Sequence, residues 1–154
     1  MPIRNSVKAI IHRDNKILLN KCHDLKFGTY YALPGGGQEH YESFHAAVVR
    51  ECIEETGYTV RPIRLAAISE TIYTDPEVQK SDPNYTHKVY FVFICEIVSD
   101  GEATNKDDLQ VDCVWVDIDD SAAFERTFPR TIGDNLHEIL NSNSPKFLGT
   151  EYIN

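Results

Sequence analysis

Three carboxylates and a guanidinium crowd one short stretch, Arg50-Glu51-Cys52-Ile53-Glu54-Glu55-Thr56-Gly57. Grouped carboxylate oxygens are the hard donors that Mg²⁺ and Mn²⁺ take, and a neighbouring Arg can orient one of them by a charged hydrogen bond. The stretch reads as the end of a helix running from Ser43 to Thr56. Ser43 is a good N-cap residue, and Gly57 suits the position just past the C-terminus. At about 100° per residue, Phe44, Ala47, Val48 and Cys52 form an apolar stripe, with Glu51 and Glu55 near its middle. Glu54 lies about 60° from Glu51, toward the Ala47 edge. Val49 and Ile53 occupy the opposite side, so the helix is expected to pack on both sides. The carboxylates then cannot simply face open water. Like charges at i,i+4 repel, the more so when half-buried, and protonation, ion pairing or a bound cation would relieve this. From these residues alone a solvated helix end, with Arg50 neutralising one Glu, stands beside the metal-binding reading.

The elements around the helix are mostly strands. Ser6–Ile11 alternates as a strand, residues 12–16 make a turn, and Ile17-Leu18-Leu19 returns as a hairpin. Cys22–Tyr30 is polar and reads as a loop. Tyr31-Ala32-Leu33 is a short strand halted by Pro34-Gly35-Gly36-Gly37, where unusual backbone angles or close approach of a ligand is expected. Past the helix, Val60–Ser69 and Thr71–Tyr73 are strand material. Asp75–Asn84 is a long polar loop with two prolines, of the sort that borders a cleft or reaches a partner subunit. His87–Val98 is the strongest strand, Ser99–Asp108 an acidic loop, Val111–Ile118 a strand around Trp115, and Arg130–Leu140 a last helix. Strands on both sides of one helix, without regular βαβ alternation, predict an α+β layered fold with a mixed sheet, as one domain over residues 1–154.

Composition narrows the partners. With 154 residues, a formal net charge of −9 and a pI near 5.0, the surface repels nucleic-acid backbones, so no nucleic acid is expected. An anionic substrate would need local cations, either Lys/Arg or bound metal. Cys22, Cys52, Cys95 and Cys113 show no C-x-x-C spacing and sit among apolar residues, as reduced thiols of a cytoplasmic protein do. No signal-peptide core follows Met1, and no apolar run approaches the roughly 20 residues that span a membrane, so no membrane association is expected.

A longer pattern bears on the glutamates. Gly36, five residues, Glu42, seven residues, then Arg50-Glu51-Cys52-x-Glu54-Glu55-x-Gly57-Tyr58 resembles the Nudix box, G-x5-E-x7-R-E-U-x-E-E-x-G-U with U bulky and apolar. All seven fixed residues match. Leu33-Pro34-Gly35-Gly36 is similar to the family's entry into the box, and the hairpin, the Trp115-Val116 strand and the last helix fall where the family has them. Tyr41 and Tyr31 depart from the Gly and Trp that the family often places there. The resemblance implies an α/β/α sandwich around a mixed β-sheet. It also implies hydrolysis of a phosphoanhydride bond in a nucleoside diphosphate linked to another moiety. Glu51, Glu54 and Glu55, with a backbone carbonyl near Gly36–Gly37, would hold Mg²⁺ or Mn²⁺. Arg50 would orient Glu51, while Glu42 and Gly57 would be structural parts of the box. Glu102 or Asp108 could supply the base, as a later acidic loop does in some members, and a homodimer is possible.

The substrate is less defined. Marks that separate ADP-ribose, dinucleoside-polyphosphate and NADH-type members are out of register (Tyr73, Pro76) or missing. ADP-ribose or a sugar nucleotide is the first expectation. A house-cleaning hydrolase of modified nucleoside triphosphates is the second, and a non-catalytic nucleotide sensor the third. Arg4, Tyr31, Tyr73 and His87 are candidate substrate contacts; Phe27 and Tyr85 could also stack on a base, and Lys8, Arg13 and Lys21 could meet phosphates.

Overall fold

The computed structural model describes residues 2–154. Strand β1 (Arg4–Arg13) turns through Asp14 and Asn15 into β2 (Lys16–Asp24). Both turn residues have φ near +60° (51° and 62°), the left-handed pair that a two-residue hairpin requires and that Asp and Asn tolerate. Strand β3 (Gly28–Ala32) leads to the glycine loop, and helix α1 (Phe44–Thr56) follows. Next come β4 (Thr59–Tyr73), α2 (Pro76–Ser81), β5 (His87–Ser99), β6 (Gln110–Asp117), α3 (Ser121–Glu125), β7 (Thr127–Phe128), α4 (Arg130–Leu140) and β8 (Lys146–Ile153).

The sheet order is β7-β3-β2-β1-β5-β4-β8, with β6 pairing β2. β1 runs parallel to β5, β4 to β8 and β3 to β7, while the other pairs are antiparallel. The sheet is therefore mixed, with apolar residues toward two layers. Val7, Ala9, Ile11, Phe93 and Cys95 pack under α1 through Ala47, Val48 and Cys52. Ile10, Tyr90 and Val92 pack with Phe124 of α3 and with Ile132, Leu136 and Ile139 of α4. The α/β/α layering implied by the family resemblance is what the chain forms.

Several expected boundaries shift. Residues 22–30 are not one loop: β2 continues to Asp24 and β3 begins at Gly28, so polar residues there lie in paired strands. Thr71–Tyr73 continues the same long strand as Val60–Ser69, bent by bulges against β5. Residues 75–84 contain α2, capped by Asp75, which accepts from the Glu77 N–H at 2.8 Å, with Pro76 in the first turn. That Asp-Pro start is a helix signal that the polar composition masked. Strand β8, absent from the sequence reading, completes the edge beside β4.

The glycine loop runs against β1. Val7 N–H donates to the Gly36 carbonyl, Ala9 N–H to Pro34, and Gln38 N–H to Asn5. At Gly35, with φ +138°, a Cβ would stand 2.0 Å from the Val7 carbonyl oxygen, which is backbone and cannot yield. Gly35→Ala is expected to lower stability by at least about 2 kcal/mol through strain and displacement of β1, seen as a fall in the urea midpoint at unchanged slope. An unchanged midpoint would contradict this packing.

Candidate active site

Helix α1 begins where Ser43 Oγ accepts from the Ala46 N–H at 3.1 Å and ends at Gly57, φ +79°. The cap holds the last turn, which carries Glu54 and Glu55, against the loop at residues 101–105. A Cβ on Gly57 would meet the Gly101 carbonyl at 2.3 Å, and the Asn105 N–H donates to Glu54 O at 2.8 Å.

The apolar stripe carries its carboxylates inward, as the helical spacing requires. Glu55 is only 2% exposed. Its Oε2 accepts from Asn20 Nδ2 at 2.7 Å and from the Gly35 N–H at 2.8 Å. Gln110 Nε2 donates to the Glu55 backbone carbonyl at 2.9 Å and lies 3.4 Å from Asn20 Oδ1, continuing the polar chain across β2 and β6. Burial pushes the Glu55 carboxyl up to about 7, against the opposing pull of Lys8, the Gly35 N–H and Asn20. Glu51 is raised too, again chiefly by burial, with Arg50 countering.

Arg50 gathers the remaining acids. Its Nε and Nη2 grip Glu42 at 2.8 and 3.0 Å, its Nη1 donates to Glu51 at 2.8 Å and to Glu54 at 3.4 Å, and Nη2 also donates to the Gly37 carbonyl at 2.9 Å. This hydrogen bonding holds the Glu42 carboxyl below its ordinary range. Glu42 also accepts from the Glu39 N–H, so it braces Arg50 and the loop. Three mutually repelling carboxylates are thus parted by two sets of partners: Arg50 takes Glu51 and Glu54, while Asn20 and Gly35 take Glu55.

Two depressions flank the helix. An open groove along its outer side is lined by Glu42, His45, Val49, Arg50, Glu54 and Thr104. On the inner side a cleft of about 560 Å³ opens beside Glu55, between Lys8, Tyr30, Asp82, Tyr85, Asp107 and Asp108. Of the sequence candidates, Asp108, Lys8 and Tyr85 line the cleft. Arg4 stands at its edge, with its guanidinium 4.6 Å from the centre of the Tyr85 ring, which lines the cleft. Tyr31 does not come to the cleft: it packs against the α4 layer, while its neighbour Tyr30 lines the cavity. His87 bonds Glu70 across β4 and β5 at 2.7 Å, and the next residue, Lys88, feels Lys8, Arg4, Asp82 and Asp107. Tyr73 is half-buried near Glu151, and Glu102 is exposed on the loop beyond Gly57; neither lines the cleft. Lys88 and Gln110 were passed over in the sequence. Their one signal was a long polar side chain set into an apolar strand.

The donor set fits a divalent cation in its chemistry. Among the described residues no three His, Cys, Asp or Glu side chains stand gathered to hold a metal. Glu51 and Glu54 nevertheless converge on one cationic nitrogen, Arg50 Nη1. Position 36 is shaped around a carboxylate, since a Cβ there would lie 2.6 Å from Glu51 Oε1. The Gly36 and Gly37 carbonyls each accept one hydrogen bond and keep a second lone pair.

Residues 2–135 match the family model of the NUDIX domain, and the chain belongs to that family. It is 39% identical over 103 residues to an ADP-ribose pyrophosphatase of Methanocaldococcus jannaschii, over 67% of this chain and 56% of that one. A second curated relative, from Bacillus subtilis, is 33% identical over 97 residues, covering 62% of this chain and 42% of its own length. The chain therefore spans about half the length of the curated relatives it matches. A solved NUDIX hydrolase from Nitrosomonas europaea superposes with a TM-score of 0.72 at 25% identity, covering 89% of this chain and 88% of that chain.

The raised Glu55 pKa makes stability depend on pH. A carboxyl near 7 when folded and 4.5 when unfolded holds its proton more tightly in the folded state. Its stabilising contribution is full below 4.5 and is lost as pH rises through 7, to a total of at most about 3 kcal/mol. In EDTA the melting temperature should fall between pH 5 and pH 8, and Glu55→Gln should flatten that fall. Parallel curves for the two proteins would show that Glu55 does not hold the proton.

Proposed function

We propose that the chain hydrolyses, with a bound divalent cation, a phosphoanhydride bond of a nucleoside diphosphate joined to a sugar, ADP-ribose or a sugar nucleotide. The observation that carries the sugar is the lining of the inner cleft. Asp82, Asp107 and Asp108 face one cavity with Lys8 and Glu55. Carboxylates accept hydrogen bonds from hydroxyls and repel further phosphates. That wall suits a ribose or hexose and disfavours the tail of a nucleoside triphosphate, the alternative substrate. The relative named ADP-ribose pyrophosphatase supports the same class. A sensor without catalysis has less support, because all the box carboxylates are retained.

Glu51, Glu54 and Glu55, with a carbonyl of Gly36 or Gly37, would hold the cation, Mg²⁺ or Mn²⁺. When bound, the cation neutralises charge that builds on the phosphate oxygens and lowers the pKa of water. The chain's own residues do the positioning. Arg50 fixes the carboxylates of Glu51 and Glu54, Glu42 fixes Arg50, and Asn20 with the Gly35 N–H fixes Glu55. Asp108, exposed at the cleft, takes the proton from the attacking water, a role that Glu102, outside the cleft, is less placed to fill. Tyr30 and Tyr85 offer aromatic faces to the base.

No helix among the described residues is long and apolar enough to cross a membrane. A cytoplasmic setting is supported by the four free cysteines. A homodimer would find a surface on the edge strand β8, where Phe147 and Tyr152 are exposed; a sizing column tests it. Strands from both ends of the chain share one sheet, which supports a single domain.

The deciding experiment is a nucleotide panel with Mg²⁺, reading products by chromatography. AMP and ribose phosphate from ADP-ribose, or a nucleoside monophosphate and sugar phosphate, are expected, with activity lost in EDTA. Pyrophosphate from triphosphates as the main product would favour the alternative. Glu54→Gln is expected to lower kcat at least about 100-fold with the melting temperature retained; near-normal turnover in that variant would move the metal site elsewhere.

A further inference from the structure

Two cations, Arg4 and Lys88, stand at the edge of the inner cleft. Arg4 and Lys88 are directly paired residues of the parallel strands β1 and β5, so their side chains rise side by side from the same face. Like charges opposed in this way destabilise a sheet. Both residues are half-buried, which adds the cost of lost hydration. Neither joins any ion pair among the described residues. Asp82 and Asp107 influence Lys88 from a distance, while burial, Lys8 and Arg4 depress its pKa. The compensation present is one aromatic ring: Tyr85 lies under both, 4.6 Å from the Arg4 guanidinium carbon and 5.3 Å from Lys88 Nζ.

Lys8, the third cation nearby, is otherwise engaged, since its Nζ donates to the carbonyls of Leu33 and Gly35 at 3.2 and 2.8 Å. Among the described residues Arg4 and Lys88 donate no side-chain hydrogen bond. Their location is also specific. A Cβ on Gly37 would stand 2.1 Å from Arg4 Nη2, so the guanidinium passes directly over the glycine loop. One residue back, Gly36 carries the Glu51 carboxylate. The loop thus has the Glu51 carboxylate at Gly36 and the Arg4 guanidinium at Gly37.

We propose that Arg4 and Lys88, steadied by the Tyr85 ring, clamp the phosphate of the nucleotide substrate that lies away from the α1 carboxylates. This rests on the hydrolase reading above and deepens it. A diphosphate would lie across the glycine loop, one phosphate on the side of the α1 carboxylates and the other on this pair. Arg4 supplies a planar fork of donors and Lys88 a point charge, a combination suited to a phosphate with two or three free oxygens.

Inorganic pyrophosphate is the probe, titrated into the full chain in EDTA by calorimetry. Saturable binding that weakens with salt is expected in the wild type. Arg4→Gln and Lys88→Gln should each weaken it about tenfold or more, and Lys88→Arg should restore it. Melting temperatures of the variants check that they remain folded. Wild-type protein that binds no pyrophosphate, or folded Gln variants that bind as the wild type does, would overturn the clamp. Working in EDTA keeps the two readings apart, because the clamp needs no metal. A panel without turnover, alongside binding that follows Arg4 and Lys88, would remove the hydrolase reading and leave the clamp. Turnover with a KM indifferent to Lys88→Gln would remove the clamp and leave the hydrolase.

Discussion

Repulsion among carboxylates on one helical turn is the constraint around which the molecule is arranged. Glu51, Glu54 and Glu55 belong to a helix whose apolar stripe must be buried, so at least two of them are drawn out of water with it. Each then needs a partner. Asn20 of β2 and the Gly35 N–H of the loop along β1 take the Glu55 carboxylate, Arg50, braced by Glu42, takes Glu51 and Glu54, and Gln110 of β6 takes the Glu55 backbone carbonyl. The hairpin, the glycine loop and the last antiparallel strand therefore converge on one turn of α1. A buried acid that is hydrogen-bonded but still raised in pKa is an unfinished site. Such groups are more common where chemistry is done than where a core is merely packed.

The two depressions divide the electrostatics of that turn. Arg50 and Glu54 border the outer groove, while Glu55 borders the inner cleft with Lys8 and the aspartates. Helix α1 lies between them, presenting Glu54 to one and Glu55 to the other. A ligand with charge at one end and hydroxyls at the other matches this division better than one charged throughout. The net charge of −9 makes the local cations the more telling, since anions must be drawn in against the field of the whole surface.

Legibility in the sequence followed the physics of each element. Helix α1 could be read to its caps, because Ser43, the apolar stripe and Gly57 are local signals that tertiary packing did not override. The burial of Glu55 followed from the same spacing. Strand existence was legible for β1 through β6, β3 by its last two residues, but strand parity was not. The sheet is covered on both faces, so inward and outward positions are alike apolar and alternation carries little information. Tyr31 and His87 illustrate the result: in each case the adjacent residue, Tyr30 or Lys88, is the one turned toward the cleft. Strand β8 and helix α3 were missed for a different reason. Their short mixed patterns become meaningful only against the neighbours that pair with or cover them.

Gly35, Gly36 and Gly37 each exclude a side chain, and each for a separate cause: the backbone of β1, the carboxylate of Glu51 and the guanidinium of Arg4. The first position meets backbone and would tolerate no side chain, whereas the second and third meet the ends of flexible side chains that can shift. Their failures would differ in kind. A methyl at the first position presses on backbone and damages folding. At the second it presses on a flexible carboxylate, and at the third on a flexible guanidinium. Three adjacent glycines thus record three independent demands made on one strip of chain, one on folding and two on the side chains that carry charge to the site.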